Sequence, residues 1–379
     1  KAEPGEEDEV KDEVSKKLKI QEEANADIKE GARVRISTIV IRVLDIARIL
    51  LFNLNWEIRH GASLIIRAAA RKANYIYYFT HHDTLQSFKD TQFAVALKAQ
   101  ILKEEKSGIV DILQDSVVRS LLILALDRFS DFIGDKSNII VRDISSQAVA
   151  ESLNFLKSQD LILKMIAYFK ELLARKIEQG WEPKHGAIYL MYRLIQKIPK
   201  LTPVFFKEFC EPIHSRIGEH EEILEVACGF YQQILENDSN LFGAKALTVL
   251  CKSYLEAIQK LEDISYSVSP ASRLIGDMFK AMVAKGLKED NFAAEAVKTV
   301  MIKFFFHHMN HVRSDLFYML SHWLIFAGKK LSPTGFKQVL LLMKMYIVGI
   351  YTEEDPVRRK EMIEHFQICA NNFEEESHR

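Results

Sequence analysis

Three polar side chains in the C-terminal half of the sequence have the spacing of a helical metal site. His307, His311 and Asp315 are four residues apart, so one helical face would carry all three. Imidazole and carboxylate groups are common zinc ligands. No fourth ligand lies nearby, and polar residues are also expected where a helix begins. A structural role is therefore the prediction, with a metal enzyme acting at this face kept as an alternative.

The sequence has no other local pattern that carries chemistry. It lacks a GxxxxGK[ST] phosphate loop, a GxGxxG after a strand and an HExxH pair. No Ser/His/Asp or Cys/His arrangement has local support. The Phe304-Phe305-Phe306 run is interpreted as core. We predict that this chain is not an enzyme and binds no cofactor.

Composition favours a large helical protein over a nucleic-acid coat. The 379 residues include 51 basic and 52 acidic side chains and are 48% hydrophobic, so the basic excess needed to coat nucleic acid is missing. Only 15 glycines and 8 prolines interrupt the chain, which favours long helices. Four dispersed cysteines predict reduced, buried thiols in the cytosol or nucleus: Cys210, Cys228, Cys251 and Cys369.

Neither end of the sequence predicts targeting to a membrane. No signal peptide is present, and the apolar run 339–351 is interrupted by Lys344 and too short to span a bilayer. Residues 1–30 hold eleven acidic residues and six lysines, a composition typical of a solvated, flexible segment. Because the first residue is Lys1, we expect the chain to be part of a longer protein.

Helical repeats are indicated from residue 31 onward. Leu247, Leu250, Tyr254 and Ile258 step by three or four along one helical face. An apolar residue followed by Arg or Lys recurs where a second helix should begin. Beyond the first step these positions lie about 40–48 residues apart, the period of paired-helix HEAT and armadillo repeats. The positions are Ile58-Arg59, Val141-Arg142, Pro183-Lys184 and Val312-Arg313, with weaker equivalents at Ile223-Leu224 and Ile264-Ser265.

The predicted fold is an all-α HEAT-repeat α-solenoid of about six or seven helical hairpins over residues 31–379. The first step, from Arg59 to Arg142, is about two periods long, which indicates an insertion around residues 75–108. One hairpin cannot bury its own apolar face, so hairpins must stack and expose rows of turns. The recurring cation has two interpretations that stay open: it orders the stack by pairing with an Asp in the adjacent turn, or it binds a partner.

Three sequence blocks resemble the TATA-box-binding-protein-associated Swi/Snf-type ATPases, the "modifier of transcription" family. The first is NWEIRHGA at 55–62 and the second is ALDRFSDF at 125–132, continued by Asp135, Val141-Arg142 and Ser146-Gln147. The third is WEPKHGA at 181–187. A looser fourth match runs from His307 to Arg313, and Ser130 departs from the usual glycine. The resemblance covers roughly residues 40–320.

The resemblance implies a function in transcription. The family's N-terminal HEAT array binds the TATA-box-binding protein through its turns, and a C-terminal ATP-driven motor, absent here, strips that protein from promoter DNA. The histone-fold heterodimer negative cofactor two and promoter DNA can share the complex. The implied location is the nucleus. Residues 1–30 correspond to a "latch" that would occupy the partner's DNA-binding saddle with its acidic run: Glu6, Glu7, Asp8 and Glu9.

Partner-binding residues are predicted from the motif blocks. Trp56 and Trp181 are expected to pack between repeats instead. The alternative function is a generic HEAT scaffold, such as a nuclear-transport or chromatin-assembly adaptor with a different protein partner. The predicted partner-binding residues are Glu57, Arg59, His60, Asp127, Arg128, Asp131, Asp135, Glu182 and Lys184.

Overall fold

The computed structural model confirms the predicted all-α repeat fold. It describes residues 41–81, 109–126, 137–156, 158–175, 180–262, 265, 267–287, 293–328 and 333–377. These residues form fourteen α-helices and, within the described ranges, no strand. The helices follow one another as seven pairs, in agreement with the six or seven hairpins expected from the sequence.

The helices are numbered in chain order, and each pair has a first and a second helix. The first two pairs are α1 (41–50) with α2 (Trp56–His81), and α3 (Ile109–Leu126) with α4 (Ser137–Leu156). The next three are α5 (Gln159–Ala174) with α6 (Glu182–Lys197), α7 (Thr202–His214) with α8 (Glu221–Asp238), and α9 (Ala244–Lys260) with α10 (Val268–Ala284). The last two are α11 (Ala294–Phe304) with α12 (Asn310–Gly328), and α13 (Pro333–Thr352) with α14 (Pro356–Ser377).

Apolar spacing and helix-start residues account for these elements. In α9, Leu247, Leu250, Tyr254 and Ile258 are buried along one stripe, as the period of three or four residues predicts. Pro183 lies in the first turn of α6, where its missing N–H is not needed. The recurring cations Arg59, Arg142, Lys184 and Arg313 all lie in second helices, as predicted.

The described residues form two compact units. The first unit contains the described residues 41–81, 109–123 and 137–156. In it, α2 packs along α4, and Ser63 and Ser145 share a buried hydrogen bond of 2.8 Å between their Oγ atoms. Residues 75–81 of the predicted insertion continue α2, and residues 82–108 lie outside the described ranges. The core of this unit includes Leu44, Ala47, Leu51, Ala62, Ile66, Val141 and Ala148.

The second unit contains the five pairs from α5 to α14. Second helices pack in succession, so that α6, α8, α10, α12 and α14 form one layer. First helices of neighbouring pairs also touch, as α5 does with α7 and α9 with α11. Hydrogen bonds between neighbouring pairs join residues from 35 positions apart, as in Lys184–Glu219, to 47, as in Ser314–Glu361. This spacing is the structural expression of the predicted repeat period.

Candidate functional site

We call the turns that join the first helix of a pair to the second connecting turns. The recurring cation lies near the start of the second helix, just after each of these turns. The Arg59 turn is residues 51–55, and the Arg313 turn is residues 305–309. The Lys184 turn is described at residues 180–181. Partners of helical-repeat proteins bind exposed turns and faces. The side chains of these three turns are therefore candidates for a partner-binding surface.

The Arg59 turn is closed by its own arginine. The Arg59 side chain is buried and donates hydrogen bonds to the carbonyl oxygens of Asn53 at 2.9 Å and Leu54 at 2.8 Å. The Asn53 side chain accepts from the backbone N–H of Asn55 at 2.9 Å. A guanidinium satisfies two carbonyls at once because its donors are fixed in a planar fork.

The Phe52 ring of the Arg59 turn is covered by another arginine. The Arg119 guanidinium carbon, from α3, lies 5.8 Å from the centroid of the Phe52 ring. Arg119 Nε also donates to Asp115 Oδ2 at 2.7 Å. A cation is thus held between an aromatic ring and a carboxylate, an arrangement that both groups favour.

The Arg313 turn repeats the same backbone device at the same offsets. Arg313 Nη1 donates to the carbonyls of His307 at 2.6 Å and His308 at 3.3 Å, six and five residues before it, as Arg59 does. The Nδ1 atom of His307 accepts from the Met309 N–H at 3.1 Å, as the Asn53 side chain does in its turn. His307 is therefore the structural equivalent of Asn53.

Arg313 also binds the connecting turn of the next pair. Its Nε and Nη2 atoms donate to the two carboxylate oxygens of Glu353 at 2.8 and 2.7 Å. The Arg313 hydrogen bonds hold the pKa of Glu353 below its usual range. Arg359 extends the pattern, since its Nε donates to the Glu353 carbonyl at 2.7 Å, again six residues earlier.

The Lys184 turn uses a lysine, which binds forward to the next pair. Lys184 Nζ, with a fully buried side chain, donates to Glu219 Oε2 at 2.5 Å. Burial raises the pKa of Glu219, but hydrogen bonds from Lys184 and Arg216 outweigh burial, and the net pKa is lowered. Trp181 stacks on His220 of the next turn, with centroids 4.6 Å apart, as expected for packing between repeats.

An open groove of about 260 Å³ lies beside the Arg313 turn. Phe304 and Phe305 are buried, as predicted, but Phe306 is 80% exposed, so the core interpretation is wrong for Phe306. Phe304 ends α11, and the turn that follows directs Phe306 away from the packed helices. The groove lining is Phe305, Phe306, Arg313, Phe317, Gly349, Thr352, Glu353 and Glu354.

The predicted partner-binding residues fall into three groups. Glu57 is exposed, whereas His60 and Glu182 are half-buried. Arg59 and Lys184 are buried and hydrogen-bonded within the chain. Lys184 pairs with Glu219 of an adjacent turn, which supports the stack-ordering interpretation with a glutamate in place of the predicted aspartate. The described bonds of Arg59 close its own turn. The role of both cations in partner binding stays a prediction. The remaining residues lie outside the described ranges: Asp127, Arg128, Asp131, Asp135, Glu6, Glu7, Asp8 and Glu9.

The histidine face does not assemble as a metal site in the described part of the chain. His307 Nδ1 is occupied by the Met309 N–H. Burial and the neighbouring histidines lower the pKa of His307, and burial raises the pKa of Asp315. Asp315 accepts from Ser269 at 2.5 Å. Within the described ranges, no three metal-binding side chains converge.

The four cysteines are reduced. Cys228, Cys251 and Cys369 are buried, Cys210 is half-buried, and all four are free thiols. Burial raises the pKa of the Cys210 thiol to about 11 and that of Cys369 to about 12. Among the described residues, no helix is long and apolar enough to cross a membrane.

Paired helices whose connecting turns bond to one another at a period near 40 residues define a HEAT-type helical-repeat protein. The chain is similar to human TATA-binding protein-associated factor 172, at 22% identity over 239 residues, 60% of this chain and 11% of that protein. It is also similar to TATA-binding protein-associated factor MOT1 of Saccharomyces cerevisiae, at 29% identity over 162 residues, 40% of this chain and 8% of that protein.

A third relative extends the same similarity. It is TATA-binding protein-associated factor mot1 of Schizosaccharomyces pombe, 23% identical over 253 residues, 61% of this chain and 11% of that protein. These relatives confirm the family resemblance carried by the three motif blocks. The matched segment spans about a tenth of the length of each relative. No protein-family model and no solved structure matches the chain.

Proposed function

We propose that this chain is the part of a nuclear transcription regulator that binds the TATA-box-binding protein. One observation carries the proposal: the relatives similar to this chain are all named TATA-binding protein-associated factors. The family resemblance adds the finer mechanism, in which an ATP-driven motor elsewhere in the whole protein removes the partner from promoter DNA. In this scheme the chain supplies recognition and no chemistry.

The connecting turns are the proposed contact surface. Buried bonds such as Lys184–Glu219 and Arg313–Glu353 fix each turn against the next, so the side chains that remain exposed are held in place before a partner arrives. Preorganisation of this kind lowers the entropic cost of binding. Glu57 and Glu354 are exposed acids at such turns, and exposed charges set association rate and orientation.

The acidic segment and the larger complex belong to the same proposal. The run Glu6-Glu7-Asp8-Glu9 would take the place of DNA phosphates in the partner's saddle. Negative cofactor two and promoter DNA would join the partner in one complex. Deletion of residues 1–30 tests the first part, because competition with TATA DNA should then be lost while binding to the partner persists.

The direct test is a calorimetric titration of the chain with purified TATA-box-binding protein, with and without TATA DNA. We expect one-to-one binding with a Kd at or below about 1 µM. With DNA bound, weaker apparent affinity indicates competition for the saddle, and unchanged affinity indicates a ternary complex. Absence of binding at roughly ten times that concentration would favour the generic scaffold alternative, with a different protein partner.

A further inference from the structure

We propose that the groove at the Arg313 turn receives an arginine side chain of the bound partner, between the Phe306 ring and the Glu354 carboxylate. The inference rests on the proposed function, because it names what the partner presents to this turn. A short peptide that contains arginine should also bind the groove in the absence of the partner.

The first unit contains an internal template for this arrangement. Its Arg59 turn and the Arg313 turn have the same hydrogen-bond offsets, and Phe52 and Phe306 both lie seven residues before the arginine. On Phe52 the ring holds the Arg119 guanidinium at 5.8 Å. The turn therefore presents its phenylalanine in a position that accepts a guanidinium from outside the turn.

The equivalent ring of the Arg313 turn, Phe306, is more exposed than Phe52. Phe306 is 80% exposed, whereas Phe52 is 42% exposed. Among the aromatic residues that line the groove, Phe305 and Phe317 are buried and Phe306 is exposed, so the Phe306 ring is available to a partner.

The groove lining carries one negative charge in excess. Both carboxylate oxygens of Glu353 are taken by Arg313, so these two charges offset each other. Arg359 is directed to the Glu353 carbonyl. Glu354 is exposed and, within the described residues, forms no ion pair, so the lining carries a net charge of −1. A cation is the complementary occupant.

The groove has a fixed floor. Phe305 packs edge-on against both Phe306 and Phe317, with centroids 4.7 and 5.8 Å apart. A Cβ atom added at Gly349 would lie 2.0 Å from Phe317 Cζ, so glycine is what lets α13 approach this ring. Close packing beneath the exposed ring keeps the groove in shape before binding.

Arginine fits this groove better than lysine or an apolar side chain. Its planar guanidinium stacks on an aromatic face and binds a carboxylate through two donors at the same time. A lysine ammonium is more strongly hydrated and would use only one of these groups well. An apolar side chain would leave Glu354 without a counter-charge. In the Phe52–Arg119–Asp115 cluster the cation between the ring and the carboxylate is likewise an arginine.

The partner-independent test uses fluorine NMR on the intact chain labelled with 4-fluorophenylalanine. The Phe306 resonance is assigned from the Phe306→Leu variant. The probes are acetyl-Gly-Arg-Gly-amide, its lysine analogue and, as the neutral control, acetyl-Gly-Gln-Gly-amide, each added to millimolar concentration. We expect the Phe306 resonance to move with the arginine peptide, less with the lysine peptide and not with the glutamine peptide.

Two variants connect that response to the groove. Glu354→Gln should reduce the arginine-induced shift by about threefold or more, because the counter-charge is removed. Glu256→Gln, an exposed acid on α9, is the matched control and should leave the shift unchanged. No response of Phe306, or equal responses to the arginine and glutamine peptides, would overturn the inference.

The partner arm separates this inference from the proposed function. Phe306→Ala and Glu354→Lys should each weaken binding of the TATA-box-binding protein about tenfold or more, whereas Leu163→Ala, at another exposed apolar side chain, should not. Tight wild-type binding with unaffected groove variants would reject the groove and keep the proposed function. A peptide response without any binding of that protein would reject the proposed function and keep the groove.

Discussion

The Arg59 turn and the Arg313 turn are two copies of one backbone device with different surroundings. In both, an arginine caps the carbonyls six and five residues before it, and the side chain of the first capped residue accepts a backbone N–H two residues on. In the first, an arginine covers Phe52; in the second, Phe306 is open and the capping arginine also binds Glu353. The shared geometry is structural, and the difference marks where a partner has room.

Removing the capping arginine of either turn is expected to have the largest effect. Arg313→Met leaves Glu353 buried without its counter-charge, which should lower the free energy of unfolding by about 3 kcal/mol. Arg59→Met loses two charged hydrogen bonds and should cost about 2 kcal/mol. Urea unfolding, with hydrogen exchange of residues 51–58 and 305–312 to localise the loss, measures both. A loss of less than about 1 kcal/mol for Arg313→Met would contradict the role given to Glu353.

The floor of the groove predicts the next largest effect. Gly349→Ala puts a Cβ atom 2.0 Å from Phe317 Cζ and should destabilise by about 2 kcal/mol, because Phe317 is buried and has little space to move. Gly229→Ala is the matched helical control, since its Cβ would meet Tyr192 at an ordinary 3.7 Å. That change should stabilise, by up to about 1 kcal/mol. Thermal unfolding measures the stability of both variants. If both are destabilised by a similar amount, the explanation given for Gly349 is wrong.

Acid should weaken the bond between Arg313 and Glu353, which joins the Arg313 turn to the next pair. The pKa of Glu353 is lowered by Arg313, so its contribution is fully present above the ordinary glutamate pKa of about 4.3 and is lost as pH falls through the lowered value. The stability gap between wild type and Arg313→Met should therefore shrink on acidification below that pH. The gap between wild type and Gly349→Ala should stay level, because neither Gly349 nor the Phe317 ring that it packs against titrates. Unfolding curves at pH 7 and at a series of lower values test this.

The smallest expected effect comes from making the first turn resemble the second. Arg119→Met uncovers Phe52 and should cost about 1 kcal/mol or less, as partly exposed cation–π contacts and ion pairs do. Phe52 should then respond to the arginine peptide in the fluorine NMR experiment, whereas Arg119→Lys, which keeps the cation, should respond less. If Phe52 stays unresponsive once uncovered, the two turns are not equivalent binding positions.

Much of the fold was predictable from the sequence. The apolar stripe of α9, the helix start at Pro183 and the period near 40 residues predict paired helices, because local propensity and burial agree throughout. The stack-ordering interpretation of the recurring cation was also predictable, since a buried lysine or arginine requires a partner. Its acid, Glu219 or Glu353, lies 35 or 40 residues downstream, and only the stacking of the pairs identifies it.

The candidate site was less predictable from sequence. Phe306 lies in a run of three phenylalanines, and composition alone assigns all three to the core, whereas the turn geometry exposes one. His307 suggested metal chemistry because helical spacing does not reveal that its Nδ1 accepts a backbone N–H. The sequence does contain one pattern that relates the two turns: Phe52 and Phe306 both precede the recurring arginine by seven residues.

The most direct test of the central claim is hydrogen exchange of the chain with and without the TATA-box-binding protein. We expect added protection at residues 305–309 and 351–357, where Phe306 and Glu354 are open, and little change at residues 51–55 around Phe52. Protection confined to other segments would contradict the assignment of binding to the open turn. A chain whose exchange is unaltered at saturating partner would contradict the proposed function itself.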